Sequence, residues 1–155
     1  MPKQYRDSEG KVRSYVDAFV SGGALELAEN TEVVATVKGS IQVEEVVIAN
    51  GESLSGTVDL GAGVRQLVGI QMPAAWTAAS LTFAVSHDGT TFVPLYWDGD
   101  EYTVLAAGGA AASLGVSLEP SVFAGWPYVR VRSGTAGTPV NQDAERTLVV
   151  LTRAV

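Results

Sequence analysis

The sequence predicts an all-β fold, an antiparallel sandwich or barrel, on three observations. Short β-type runs recur along most of the chain and are separated by turn residues, which is the pattern of antiparallel β proteins. Two of the separators, Asn50-Gly51 and Asp88-Gly89, combine residue types that accept a positive φ at low cost. The chain has 155 residues, of which 46% are hydrophobic and 17% charged, so we expect one well-packed core.

The runs define the expected elements in chain order. Strands are predicted at 32–38, 42–49, 54–60, 65–72, 80–86, 91–97, 101–106, 113–118, 127–133 and 146–153. Glu119–Pro127 is expected to hold a single helical turn, and the Ala/Gly-rich segment Ala106–Ala112 a loop. No internal repeat of fixed period is present.

Alternation within two of these strands assigns side chains to faces. In the strand at 127–133, Val129 and Val131 are expected to point into the core, which sends Arg130 and Arg132 outward together.

The last strand is apolar on both faces, with Leu148 and Val150 on one side and Val149 and Leu151 on the other. A strand of this kind fits a middle position in a sheet or a contact in an oligomer.

Residues 1–23 are predicted to form an N-terminal arm, and residues 24–155 the β domain, with Ser21–Gly23 as the joint. The spacing of Val12, Tyr15, Val16 and Phe19 fits one face of a short helix, although a docked extended arm is also compatible with it. The arm is expected to bind a partner through apolar and basic side chains. These candidate contacts are Tyr5, Arg6, Lys11, Arg13, Tyr15 and Phe19.

Composition restricts the function classes. Cysteine is absent, which excludes disulfides, thiolate nucleophiles and thiolate metal sites. A formal charge of −7 argues against general nucleic-acid binding, because phosphate contacts need cations. No apolar run approaches the roughly 20 residues that span a bilayer, and the charged N-terminus does not resemble a signal peptide. We therefore expect synthesis in a cytoplasm, with no nucleic-acid and no membrane partner.

Three candidate chemical sites are weak. His87 is the only histidine and stands beside the Asp88-Gly89 turn, with no partner motif for a catalytic base or a metal site. The acidic run Asp98, Asp100 and Glu101 offers oxygens for calcium but lacks the EF-hand pattern. A glycosidase pair would need Asp98 or Glu101 together with Glu119, at a separation that sequence does not give. We expect no catalytic residue, no metal and no cofactor.

The tryptophans Trp76, Trp97 and Trp126 all fall in or beside predicted loops. In such positions aromatic rings either close the open ends of a sandwich or stack on a sugar. The first role is preferred, and glycan stacking is kept as the alternative.

Two long segments resemble a family of proteins. They are "LVGIQMPAAWTAASLTFAVSHDGTTFVPLY" (Leu67–Tyr96) and "FAGWPYVRVRSGTAGTPVNQDAERTLVVLTR" (Phe123–Arg153). The "MPAAWTAASLTF" run, the "S-x-DG-x-x-F" turn, "FAGW" before a strand, and the "RSGT…PVNQ…R-T-L" ending together resemble a recurring small protein of tailed bacteriophages and prophages. Residues 1–40 lie outside the resemblance.

The resemblance implies a virion structural protein whose fold is a jelly-roll sandwich similar to galactose-binding or discoidin-like domains. We therefore expect a non-enzymatic, homo-oligomeric protein that decorates or cements the capsid and sits on the particle surface after assembly in the host cytoplasm. Its partner would be the major capsid protein or another virion protein. The alternative is a carbohydrate-binding module on a tail or fibre that uses the loop aromatics.

Overall fold

The computed structural model describes residues 4–6, 12–14, 40–105 and 112–155. The strands are β1 (Gln4–Arg6), β2 (Val12–Ser14), β3 (Ile41–Ile48), β4 (Val58–Asp59), β5 (Arg65–Gln71), β6 (Leu81–Ser86), β7 (Val93–Pro94), β8 (Tyr96–Trp97), β9 (Asp100–Glu101), β10 (Gly115–Ser117), β11 (Tyr128–Ser133) and β12 (Arg146–Ala154). A 3-10 helix at Pro120–Phe123 supplies the predicted helical turn. Within the described ranges, no helix is long and apolar enough to cross a membrane.

The chain divides into two compact units, Met1–Ala35 and Thr36–Val155. In the first unit, β1 and β2 pair antiparallel, with Tyr5 opposite Arg13 and Arg6 opposite Val12. Val12–Ser14 is therefore extended where the spacing also allowed a helix. The predicted joint at Ser21–Gly23 and the predicted strand at 32–38 lie outside the described residues.

The second unit, called the body below, is a sandwich of two antiparallel sheets. The first sheet has the order β10-β5-β12-β3 and the second the order β4-β11-β6-β7. These eight strands pair first with last and second with second-last, down to the adjacent pair β6–β7. That is the arrangement obtained when one long hairpin is rolled into two sheets, which is the jelly-roll topology. The all-β sandwich predicted from the sequence is confirmed.

The observed strands are shorter than predicted at several places. The run predicted at 101–106 forms regular strand only at its start, in β9, and Val104 adds a single bridge to Leu81. The run at 54–60 forms regular strand only at β4, because Ser55 bridges to Ile48 in the first sheet while Leu54 bridges to Arg132 in the second. The run at 91–97 breaks at the buried Leu95 into β7 and β8. There the chain leaves the second sheet and makes the small β8–β9 hairpin, whose Asp98-Gly99 turn has positive φ at both residues.

The core lies between the two sheets. Phe83 on β6 is fully buried, its ring 5.0 Å from the Phe123 ring in an edge-to-face contact and 5.7 Å from the stacked Tyr102 ring. From the first sheet, Ile48 on β3 and Leu148 on β12 are equally inaccessible. The 3-10 helix thus delivers Phe123 to the centre of the sandwich.

Candidate functional site

The hairpin turn that carries His87 is held by its neighbours. The Asp88 carboxylate accepts hydrogen bonds from the Thr90 and Thr91 amides, both at 2.8 Å, and from the Ser86 hydroxyl. These bonds, that from the Thr91 amide foremost, hold the pKa of Asp88 well below its usual range, because they favour the charged form. His87 itself is exposed. The contacts in this turn are those of an architectural element.

Glu101, a candidate for calcium and for glycoside chemistry, is already engaged. Its carboxylate forms an ion pair with Arg132 at 3.0 Å and accepts the Ala136 amide at 2.9 and 3.1 Å. The Arg132 side chain is only 10% exposed, and the Glu101 side chain only 14%. Arg132 does lie on the outer face of the second sheet as predicted, but it is covered there rather than facing solvent.

Arg130, on the same outer face, also contacts other side chains of the body. Its guanidinium lies 4.1 Å from the centre of the Phe92 ring, and its Nε donates to the Thr57 hydroxyl at 3.0 Å. Phe92 and Glu101 both belong to the segment that follows β6, so this segment folds back over the second sheet. The outer face of the second sheet is thereby closed by arginine, aromatic and carboxylate side chains.

The other acidic candidates, Glu119, Asp98 and Asp100, lie in different environments. Glu119 caps the 3-10 helix, accepting the Ser121 amide at 3.2 Å and the Ser121 hydroxyl at 2.8 Å, and the hydroxyl bond is the main cause of its lowered pKa. Asp98 and Asp100 are exposed at the β8–β9 hairpin. Among the residues that the structure describes, no group of three or more His, Cys, Asp or Glu side chains is placed to hold a metal ion.

A buried glutamine organises one end of the sandwich, and sequence reasoning missed it. Gln142 accepts the Thr77 amide at 2.9 Å and donates to the Thr77 carbonyl at 3.2 Å and to the Ser133 hydroxyl at 2.7 Å. Asp143 beside it accepts the Thr77 hydroxyl and pairs with Arg146. The only available signal was "PVNQ" itself, a polar motif before an apolar strand.

The three tryptophans lie in different environments. Trp76 is 9% exposed and donates its indole N–H to the Ala79 carbonyl, so its ring is not accessible to a sugar. Trp126 is half-buried against the core. Trp97 is 50% exposed and follows Tyr96, which is 59% exposed, in β8. Of the three, Trp97 presents the most surface for stacking.

The candidate contacts in the arm are only partly described. The strand pairing places Tyr5 and Arg13 opposite each other, and Arg6 one position further along the ladder. Lys11, Tyr15 and Phe19 lie outside the described residues.

The most distinctive surface of the body is the outer face of the first sheet. Val46 and Ile48 on β3, and Leu148 and Val150 on β12, point into the core. The residues that alternate with them point outward. Those that are large and apolar are Ile41, Val43 and Val47 on β3, all exposed, and Val149 and Leu151 on β12, both half-buried. We call this outer surface of β3, β12, β5 and β10 the open face.

These features define an all-β jelly-roll sandwich whose distinctive feature is an exposed apolar sheet face. No model of a known protein family, no curated protein and no solved structure matches the chain.

Proposed function

We propose that the chain is a non-enzymatic structural protein of a tailed-bacteriophage particle and that it decorates or cements the capsid. The observation that carries this proposal is the two-part construction, in which a compact N-terminal unit, Met1–Ala35, precedes a jelly-roll body. A second contact made by a tethered unit is effectively intramolecular, so a small unit adds affinity for a neighbour at little entropic cost. This construction suits a protein that must stay attached to a large assembly.

The residues that carry the phage resemblance are those that build the body. The "MPAAWTAASLTF" run contains the buried Trp76, the "S-x-DG-x-x-F" turn contains Asp88, and "FAGW" contains the core ring of Phe123. "PVNQ" contains Gln142 and its hydrogen-bond network. The resemblance therefore supports a shared scaffold, and the proposal places the contacts with the particle elsewhere.

The N-terminal unit supplies those contacts in this proposal. The β1–β2 pairing brings the basic residues Arg6 and Arg13 to adjacent positions of one short ladder, with Tyr5 opposite Arg13. Basic and aromatic residues of this kind are suited to contact with an acidic patch on the major capsid protein or another virion protein. Lys11, Tyr15 and Phe19 belong to the same proposed contact set.

The experiment uses particles assembled without this chain, to which purified protein is added before the particles are sedimented. We expect the full chain to load at a fixed number per particle. We expect a variant that lacks residues 1–22 to keep the melting transition of the body and to fail to load. Failure of the full chain to load would overturn the proposed function, and normal loading of the shortened variant would overturn the N-terminal route.

Carbohydrate binding on a tail or fibre is a second candidate, and the exposed pair Tyr96 and Trp97 is what favours it. The substitution Trp97→Ala should leave stability nearly unchanged. The matched substitution Trp76→Ala should cost about 3 kcal/mol, because that ring is buried. Binding of the protein to host glycans that disappears in Trp97→Ala would favour this candidate over capsid decoration.

A further inference from the structure

The open face has two halves, one raised by large apolar side chains and one recessed. On β3 and β12 the outward positions hold Val43, Val47, Val149 and Leu151, which together form the ridge. On β5 and β10 the outward positions Gly69, Gly115 and Ser117 have no side chain or a small one, and Gln71, opposite Val149 and Gly115, is a larger polar residue among them. The three small residues line an open depression of about 510 Å³, which we call the trough, together with Val68, Gln71, Leu114 and Leu151.

The ridge and the trough lie in register on the same sheet. One row across the four strands consists of Val43, Leu151, Gly69 and Ser117, as the strand pairings show. A two-fold contact uses the same surface patch on both copies. If one residue of the first copy contacts a second residue of the other copy, the reciprocal contact is also made. With the axis parallel to the strands between β12 and β5, Leu151 of each copy meets Gly69 of the other, and Val43 meets Ser117.

We propose that the open face is the contact between two copies of this chain, with the ridge of each copy seated in the trough of the other. This proposal goes beyond the proposed function and stands whether or not the chain is part of a particle.

Charge on the open face is compatible with a second copy. The whole chain carries a formal charge of −7, which opposes association of like molecules. The outward positions of the face, however, carry one acid and one base, Glu45 on β3 and Arg153 on β12. The face is therefore neutral in sum, and it brings no like-charge excess into the contact.

The size of the face sets the strength of the association. Four strands at about 4.8 Å spacing, over about six residues of about 3.3 Å each, cover a plane of roughly 400 Å². A standard stable interface buries about 800 Å² on each partner. We therefore expect a reversible dimer that forms as the concentration rises.

The experiment is sedimentation velocity on the full chain over a concentration series, from low micromolar to submillimolar. Two variants each disturb one half of the contact. Val43→Asp places a charge on the ridge at a position that is 64% exposed. Gly115→Leu fills the trough at a position where a Cβ would meet no atom within 4 Å and the backbone φ is not positive. Neither change should disturb folding, which the melting transition checks.

Val93→Asp is the matched control, because Val93 is an exposed valine on β7, at the edge of the second sheet. We expect the unmodified chain and Val93→Asp to reach the mass of a dimer with the same dissociation constant. Val43→Asp and Gly115→Leu should each weaken it at least tenfold. A chain that stays monomeric throughout the series, variants that associate as the unmodified chain does, or an equal loss in Val93→Asp would overturn the proposal.

Discussion

The outer faces of the two sheets differ in how they are covered. On the second sheet, the chain after β6 returns and covers the face, with Arg130 over the Phe92 ring and Arg132 paired with Glu101. On the first sheet, the corresponding face keeps Val43 and Val47 exposed. Outward polar residues of a strand can thus be buried, and outward apolar residues exposed, because burial depends on whether another segment of the chain covers that face. The difference separates surface that stabilises the fold from surface available to a partner.

The largest expected effect compares two leucines of β12 that lie on opposite faces. Leu148 is fully buried, so Leu148→Ala should lower the free energy of unfolding by about 4 kcal/mol through lost burial and the cavity left behind. Leu151 is half-buried on the open face, and Leu151→Ala should cost less than about 1 kcal/mol in the monomer. Urea denaturation at low protein concentration measures both. Equal losses would mean that the open face is part of the folding core.

A second comparison uses two glutamates, one from each outer face. Glu101→Ala removes the partner of the largely buried Arg132 and should cost about 3 kcal/mol, because a shielded charge is left unpaired. Glu45→Ala, at an exposed position of the open face, should change stability by less than about 0.5 kcal/mol. Thermal or urea unfolding of both variants is the check. A negligible loss of stability in Glu101→Ala would contradict the inference that the outer face of the second sheet is covered.

Much of this comparison is beyond sequence reasoning, and the reasons are physical. Alternation correctly places Leu148 and Val150 opposite Val149 and Leu151, and β12 does take a middle position. Alternation cannot say whether the second apolar face is covered by the same chain. Likewise it sends Arg132 outward, but the covering Glu101 is 31 residues away along the chain.

Local turn chemistry was more predictable, because it depends on neighbours in sequence. The turns at Asn50-Gly51 and Asp88-Gly89 and the helical turn after Glu119 are confirmed. Gln142 was missed because its partners Thr77 and Ser133 come from other parts of the chain. Trp76 and Trp97 read alike in sequence, and only tertiary packing separates the buried ring from the exposed one.

The smallest expected effect concerns pH and lies in a turn outside both outer faces. The native-state pKa of Asp88 is lowered, chiefly by the Thr91 amide, so the carboxylate stabilises the fold above its unfolded-state pKa. That contribution begins to decline as the pH falls below about 4, the unfolded-state pKa, and is lost as the pH falls through the lowered native-state pKa. Asp88→Asn keeps an acceptor oxygen but does not titrate, so we expect its melting temperature to lie below that of the unmodified chain at neutral pH. The two should converge in acid. A difference that does not depend on pH would contradict the assignment.

The account depends most on the open face being free in the monomer and covered in the dimer. The chain has no cysteine, so the single substitution Val43→Cys provides one thiol on the ridge, and Val93→Cys provides a matched thiol on the second sheet. The measurement is the rate of maleimide labelling as protein concentration rises. The account predicts that labelling slows with concentration for Val43→Cys and stays constant for Val93→Cys. A constant rate for Val43→Cys up to submillimolar concentration would contradict it.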